Sequence, residues 1–319
     1  MGEVRRVAAI DIGTVTTRLF VADVSPGSIS AVERSTDITH LGEDLTRTGR
    51  LGQDAMERVA EVIARYAGVL RETGAERVLA VATSASRDAE NGDEFRAMLA
   101  RYGIEPVIIE GSREAALAFA GATIEREGEG LLVVDCGGGS TELIVGDSLV
   151  RDGVRENRIA AARSIDVGSR RMTELHLHSD PPTRAELDAA RAWAADEFRG
   201  YFDRLDDKPK TMIGLAGTAT SLVAIKLGLE PYDASVVHGH VLSGSDLADL
   251  LEMLASLSTA KRREVPGLHP GRAGVIVAGT LIFETVLALA GLDSMVVSEH
   301  DILYGILLDA YRDLQESGG

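Results

Sequence analysis

The chain has 319 residues, 45% of them hydrophobic and 26% charged, with a formal net charge of -17 and one cysteine. That length holds two domains of ordinary size, each with its own core. The acidity excludes a general nucleic-acid binder, and no run reaches the roughly 18 apolar residues of a membrane span. A lone Cys136 excludes an internal disulfide, and with no secretory leader in the opening residues it points to a reducing cytoplasm.

The first elements read as a β-meander, with strands at 7–12, 17–24 and 29–35 and Pro26-Gly27 turning between the last two. Apolar positions at helical spacing follow over 53–72, then a β-branched strand at 77–83, a helix at 94–102, a strand at 106–110 and a helix at 112–121. The second half repeats the plan, with strands at 130–135, 142–146 and near 161–167. The Pro181-Pro182 break precedes a helix over 183–204, with Thr183 and Glu186 in a capping-box pattern. A strand at 210–215 ends in a glycine-rich turn, Gly214 to Thr220, that opens a helix. Helices at 245–256 and 272–290, a strand at 294–298 and a helix from Asp301 to the end complete the chain. Strands alternating with helices predict an α/β protein with mixed sheets. The polar stretch 122–129 is the expected hinge.

Two apolar strands stop in the same way, at Asp11-Ile-Gly13-Thr14 and at Asp135-Cys-Gly137-Gly138-Gly139-Ser140-Thr141-Glu142. A strand ending in Asp-x-Gly leaves consecutive backbone N–H groups in a tight turn, and such a nest takes phosphate oxygens while the aspartate serves a cation. Either turn alone is ordinary punctuation. Their recurrence predicts a duplicated phosphate-handling fold with a cleft between its halves. In an acidic protein these nests, with cations and a few arginines, must overcome the long-range repulsion of a phosphate ligand.

These motifs, with Ala82-Thr-Ser-Ala-Ser-Arg87-Asp-Ala, Gly111-Ser-Arg-Glu114-Ala, Gly214-x-Ala-Gly217-Thr218 and Val297-Ser-Glu-His-Asp301-Ile-Leu, resemble the Ppx/GppA family of exopolyphosphatases and guanosine pentaphosphate phosphatases. That family lies in the actin, sugar kinase and Hsp70 superfamily. The resemblance implies two actin-like (ribonuclease H-like) α/β domains, one over 1–124 with the C-terminal helix 301–319 packed back on it and one over 125–300. It implies hydrolysis of the terminal phosphate of inorganic polyphosphate, Mg²⁺ (or Mn²⁺) as cofactor, and a homodimer. Glu114 is then the catalytic base, with Arg87 on the terminal phosphate. Asp135 and Glu142, with Asp11, hold the metal. Gly13, Thr14, Gly137, Gly138, Gly139, Ser140 and Thr141 donate N–H and hydroxyl groups to phosphate, with Gly217, Thr218 and Arg272 further along.

The sequence departs from the family pattern at Thr16, which stands where serine is usual, with Val15 in place of asparagine, at Arg113, which replaces a glutamate beside Glu114, and at Cys136. Glu110 is the rival base. Without the family, Glu114 reads as a first-turn carboxylate complementing a helix dipole, Asp135 as a turn cap and Arg87 as a surface residue. Arg18 reads as facing solvent, Cys136 as core, and the pairs His176/His178 and His238/His240 as loop histidines without a third ligand. Arg170-Arg171, Lys208/Lys210 and Lys261-Arg262-Arg263 with Arg272 read as solvated charges or as a track for a long polyphosphate. Guanosine pentaphosphate is the rival substrate. A non-catalytic polyphosphate or alarmone sensor and an ATP-dependent kinase remain the other readings.

Overall fold

The computed structural model describes residues 3–151 and 154–317. The ends of the chain, including the last two positions of the expected C-terminal helix, lie outside the described residues. The chain divides into two compact units, 1–121 with 302–319, and 122–301.

The first unit opens with β1 (Arg5–Ile12), β2 (Thr16–Ser25) and β3 (Ser28–Ile38), then α1 (Leu45–Thr48), α2 (Gln53–Thr73) and β4 (Arg77–Ala82). It continues through α3 (Ser84–Asp88), α4 (Gly92–Ala100), β5 (Val107–Ile108) and α5 (Gly111–Ala122). Its sheet runs β3-β2-β1-β4-β5, an antiparallel meander extended by parallel strands. Along β1, Ala8, Ile10 and Ile12 join one apolar cluster with α2, while Val7 and Ala9 join another on the opposite face. Alternating side chains bury both faces, which is why β1 reads as a continuous apolar run.

The second unit contains β6 (Gly128–Cys136), β7 (Thr141–Arg151), β8 (Val154–Ile165), α6 (Ser169–His176), α7 (Arg184–Phe202), β9 (Thr211–Leu215) and α8 (Ala216–Leu227). After these come α9 (Ala234–Val237), β10 (Val241–Ser243), α10 (Gly244–Ser256), α11 (Thr259–Arg262), a 3₁₀ turn at Pro270–Arg272, α12 (Ile276–Ala290) and β11 (Ser294–Val297). In the strand order β10-β11-β9-β6-β7-β8, all but β10, which adds antiparallel at the edge, repeat the meander-plus-parallel plan of the first sheet. Thr183 and Glu186 form the expected capping box on α7, and the Thr183 N–H holds the Glu186 carboxyl down to about 2. Helix α12 is apolar on all sides and buried along most of its length, and Leu247, Leu250, Leu251 and Leu254 of α10 are buried in the same core. These two apolar helices are therefore core elements of the unit. The expected helix start at 272 moves to Ile276, because 270–272 forms the tighter 3₁₀ turn. Helix α6 and strand β10 are too short for periodicity to reveal.

The chain returns to the first unit as α13 (Ile302–Ser317). Leu303, Ile306 and Leu307 pack with Val7, Phe20 and Leu117. Tyr311 donates to the Glu3 carbonyl, and Arg77 pairs with Asp313. Among the described residues, no helix is long and apolar enough to cross a membrane.

Two consequences are measurable. At Gly305 a Cβ would come within 2.1 Å of the Leu117 carbonyl oxygen, so α13 approaches α5 too closely for any side chain. Gly305→Ala is expected to cost about 1–3 kcal/mol by overpacking, read as a lowered urea midpoint; an unchanged midpoint would contradict the contact. Cys136 is in the core, and burial, reinforced by the Asp135 and Glu142 charges, pushes its thiol up to about 12. The thiol is therefore protonated at pH 8. Native protein should resist a thiol-reactive disulfide reagent there and react only on denaturation; rapid native labelling would refute this.

Candidate phosphate and cation sites

Both Asp-x-Gly loops build the same turn. In the first, the Gly13 N–H donates to the Thr16 carbonyl at 2.9 Å; in the second, the Gly137 N–H donates to the Ser140 carbonyl at 3.0 Å. In both, the aspartate is paired across the antiparallel hairpin with the residue seven positions on: Asp11 with Arg18, and Asp135 with Glu142. The same backbone thus carries opposite electrostatics. Asp11 is buried, and its Oδ2 accepts from Arg18 Nε at 3.0 Å and Nη2 at 2.6 Å. Arg18 is not a solvent-facing residue, and Asp11 is charge-compensated within its own hairpin rather than presented alone to a cation. Thr14 is buried, its carbonyl accepting from Gly42 N–H at 2.9 Å.

The second loop sets two carboxylates opposite each other, with Asp135 7% and Glu142 2% exposed. Glu142 Oε1 accepts from Ser140 Oγ at 2.9 Å and from Ser164 Oγ at 2.6 Å. Thr141 Oγ1 donates to the Val167 carbonyl at 2.5 Å. The hydroxyl protons of Ser140 and Thr141, expected on phosphate, are thus directed to Glu142 and to the Val167 carbonyl. The loop's carbonyls are held from behind. The N–H groups of Ser169, Arg170 and Arg171, at the start of α6, donate to Gly137 O and Gly138 O, and Arg171 Nε donates to Gly139 O at 2.8 Å. Gly168 makes this possible, since a Cβ there would lie 2.4 Å from the Gly138 carbonyl. The sequence reading missed α6, although Gly168 beside two arginines was its visible trace.

In the first unit, Arg87 and Glu114 come together. Arg87, in α3, donates through Nη1 to the Ile109 carbonyl at 2.9 Å and to Glu114 Oε2 at 3.2 Å. Glu114, in the first turn of α5, is 7% exposed, whereas Glu110 lies exposed with its carbonyl accepting the Glu114 N–H. Burial and an arginine partner distinguish Glu114 from its rival. The arginine that replaces a family glutamate, Arg113, turns to α13 and pairs with Asp309.

The glycine-rich turn after β9 packs closely against Arg272 at Gly217. The Arg272 guanidinium lies so close that a Cβ on Gly217 would be 2.3 Å from its Cζ, and Nη1 donates to Gly217 O at 2.8 Å and Ser221 Oγ at 3.0 Å. Thr218 packs as closely against Gly279. The Tyr232 phenol donates to Glu299 and also interacts with Thr220 and Arg272. Arg262, read as part of a basic run, is 4% exposed and committed to Leu257 O, Ala273 O and Asp180, so it cannot belong to a surface track.

Among the described residues, Glu125, His238 and His300 bring ligand atoms within 4.8 Å of one another. The histidine partners come from distant sequence, which the i, i+2 spacing could not reveal. Hydrogen-bond polarity speaks against a metal here. His238 Nδ1 accepts from the Glu299 N–H at 3.1 Å, whereas a histidine bound to metal through Nε2 carries its proton on Nδ1 and donates from it. His176 stacks on Trp193 with centroids 4.7 Å apart.

Against known proteins, residues 20–312 match the Ppx/GppA phosphatase family. Exopolyphosphatase 2 of Mycobacterium tuberculosis is 39% identical over 95% of this chain and 98% of its own. A solved exopolyphosphatase-like protein superimposes with a TM-score of 0.90 at 38% identity, covering 98% of this chain and 99% of that one. The Aquifex aeolicus Ppx/GppA protein does so at 0.80 and 31% identity, over 98% and 99%. Duplicated loops, mixed sheets and whole-length similarity agree: the chain belongs to the Ppx/GppA phosphatase family and has its actin-like fold.

Proposed function

We propose that this protein is an exopolyphosphatase, a phosphoanhydride hydrolase that releases orthophosphate from the end of inorganic polyphosphate. The observation that carries the reading is the buried Asp135–Glu142 pair beside a loop of backbone amides. Whole-length similarity to an exopolyphosphatase supports it.

Two opposed carboxylates fit a hard divalent cation, Mg²⁺ in the cell with Mn²⁺ as a substitute. Bound there, such a cation neutralises phosphate charge and withdraws electrons from phosphorus. Asp135 and Glu142 would hold it, and the amides of Gly138, Gly139 and Ser140 would take phosphate oxygens. Glu114 accepts a proton from water as the water oxygen bonds to the terminal phosphorus. The bridging P–O bond breaks, its electrons leaving with the shortened chain. Arg87 holds Glu114 in place and donates to terminal phosphate oxygens. Arg272, anchored over Gly217, extends the contact to phosphates further along.

Guanosine pentaphosphate is the second reading. Tyr232 favours it, an aromatic residue 48% exposed beside Arg272 whose hydroxyl is anchored by Glu299 and Thr220. Cytoplasmic location agrees with the lone buried thiol. A homodimer draws support from β8, a 12-residue edge strand with Ile159 exposed.

Orthophosphate release from polyphosphate and from guanosine pentaphosphate tests the assignment. Wild-type protein with Mg²⁺ should release orthophosphate from polyphosphate, and a chelator should abolish it. Glu114→Gln, which keeps shape and loses the base, should be slower by about 10²–10⁴-fold. Full activity in Glu114→Gln would remove Glu114 as base, and faster release from guanosine pentaphosphate would favour the second reading.

A further inference from the structure

The second sheet carries a polar row across three strands. Register places Asp135 on β6 opposite Glu142 on β7, and Glu142 opposite Ser164 on β8. Directly opposed residues share one sheet face, so Ser164 continues the line of the two carboxylates. Its hydroxyl donates to Glu142 Oε1 at 2.6 Å, the same oxygen that receives Ser140 Oγ at 2.9 Å. The two hydroxyls arrive from different elements, Ser140 from the loop and Ser164 from β8.

Two donors on one oxygen fix both the torsions and the carboxylate plane of Glu142. A glutamate has three torsions to order, and one that repels an aspartate across the hairpin would otherwise turn away from it. A cation requires the opposite arrangement, with both carboxylates turned towards a common point. Hydrogen-bond partners of ligating carboxylates commonly set affinity by about 10–100-fold.

We propose that Ser164 is a positioning residue for the divalent cation: its hydroxyl, acting with Ser140, holds Glu142 in the cation-binding orientation beside Asp135. The inference rests on the assignment of Asp135 and Glu142 to the cation, and its test reads binding directly. A purely structural role, satisfying a buried acceptor, would change stability and leave cation affinity alone.

The experiment is Mn²⁺ titration followed by the free-ion electron paramagnetic resonance signal, on wild type, Ser164→Ala, Ser164→Thr and Ser164→Cys, with the urea midpoint of each. Wild type should bind Mn²⁺. Ser164→Ala should raise the Kd about 10–100-fold. Ser164→Thr keeps the hydroxyl on a residue suited to a strand and should stay within a few-fold of wild type. Ser164→Cys, close in size but a weak donor, should resemble Ala and stands in for it if the alanine variant does not fold. Unchanged affinity in the alanine or cysteine variants would overturn the proposal, as would equal losses in Ser164→Thr and Ser164→Ala, or no Mn²⁺ binding by wild type. The predicted series in a protein that releases no orthophosphate from polyphosphate would uphold the positioning role and refute the exopolyphosphatase reading.

Discussion

Two buried carboxylates facing each other across a hairpin are an electrostatic liability that the second unit is built around. Like charges opposed on paired strands repel, and burial strengthens the repulsion by removing water. Asp135 and Glu142 are both buried in this arrangement. Ser140 and Ser164 pin Glu142, while α6 fixes the loop by its carbonyls. The first unit has the same turn and no such liability, because Arg18 stands at the position equivalent to Glu142. A duplicated backbone has thus been given two electrostatic identities by one cross-strand residue, an aspartate–arginine pair in one hairpin and two opposed carboxylates in the other.

The net charge of -17 gains meaning from this contrast. A polyanion gains nothing from the long-range field of such a protein, so its binding energy must come from short-range groups. Backbone amides are suited to that purpose, being uncharged and fixed in direction. Tying the loop carbonyls to α6 fixes the direction of the loop's peptide units. Arg87 and Arg272 are anchored, Arg87 by Ile109 O and Glu114, Arg272 by Gly217 O and Ser221.

Much of this was legible in the sequence, for identifiable reasons. The Asp-x-Gly endings are local and marked by glycine, and they located both turns and the Asp135–Glu142 pair. Burial on both faces made β1 and β6 stand out as apolar runs. Motif resemblance singled out Arg87 and Glu114, which lie 27 positions apart and meet as an ion pair. The unread part consists of contacts that no local pattern encodes. Ser164 reaches Glu142 through strand register, and the Asp309 that pairs with Arg113 lies 196 positions away. The hydroxyls of Ser140 and Thr141 were assigned to phosphate by residue type, but their bonding direction is a tertiary property. Gly217 looked like a phosphate-loop glycine, whereas the space it leaves is filled by the Arg272 guanidinium.

We propose that the Asp135–Glu142 pair, and neither the Asp11–Arg18 hairpin nor the Glu125–His238–His300 cluster, holds the divalent cation. Anomalous diffraction from crystals of this protein soaked with Mn²⁺ tests it most directly. The account predicts a manganese peak bonded to oxygens of Asp135 or Glu142. A peak on the histidine cluster or at Asp11, with none at Asp135 and Glu142, would contradict it.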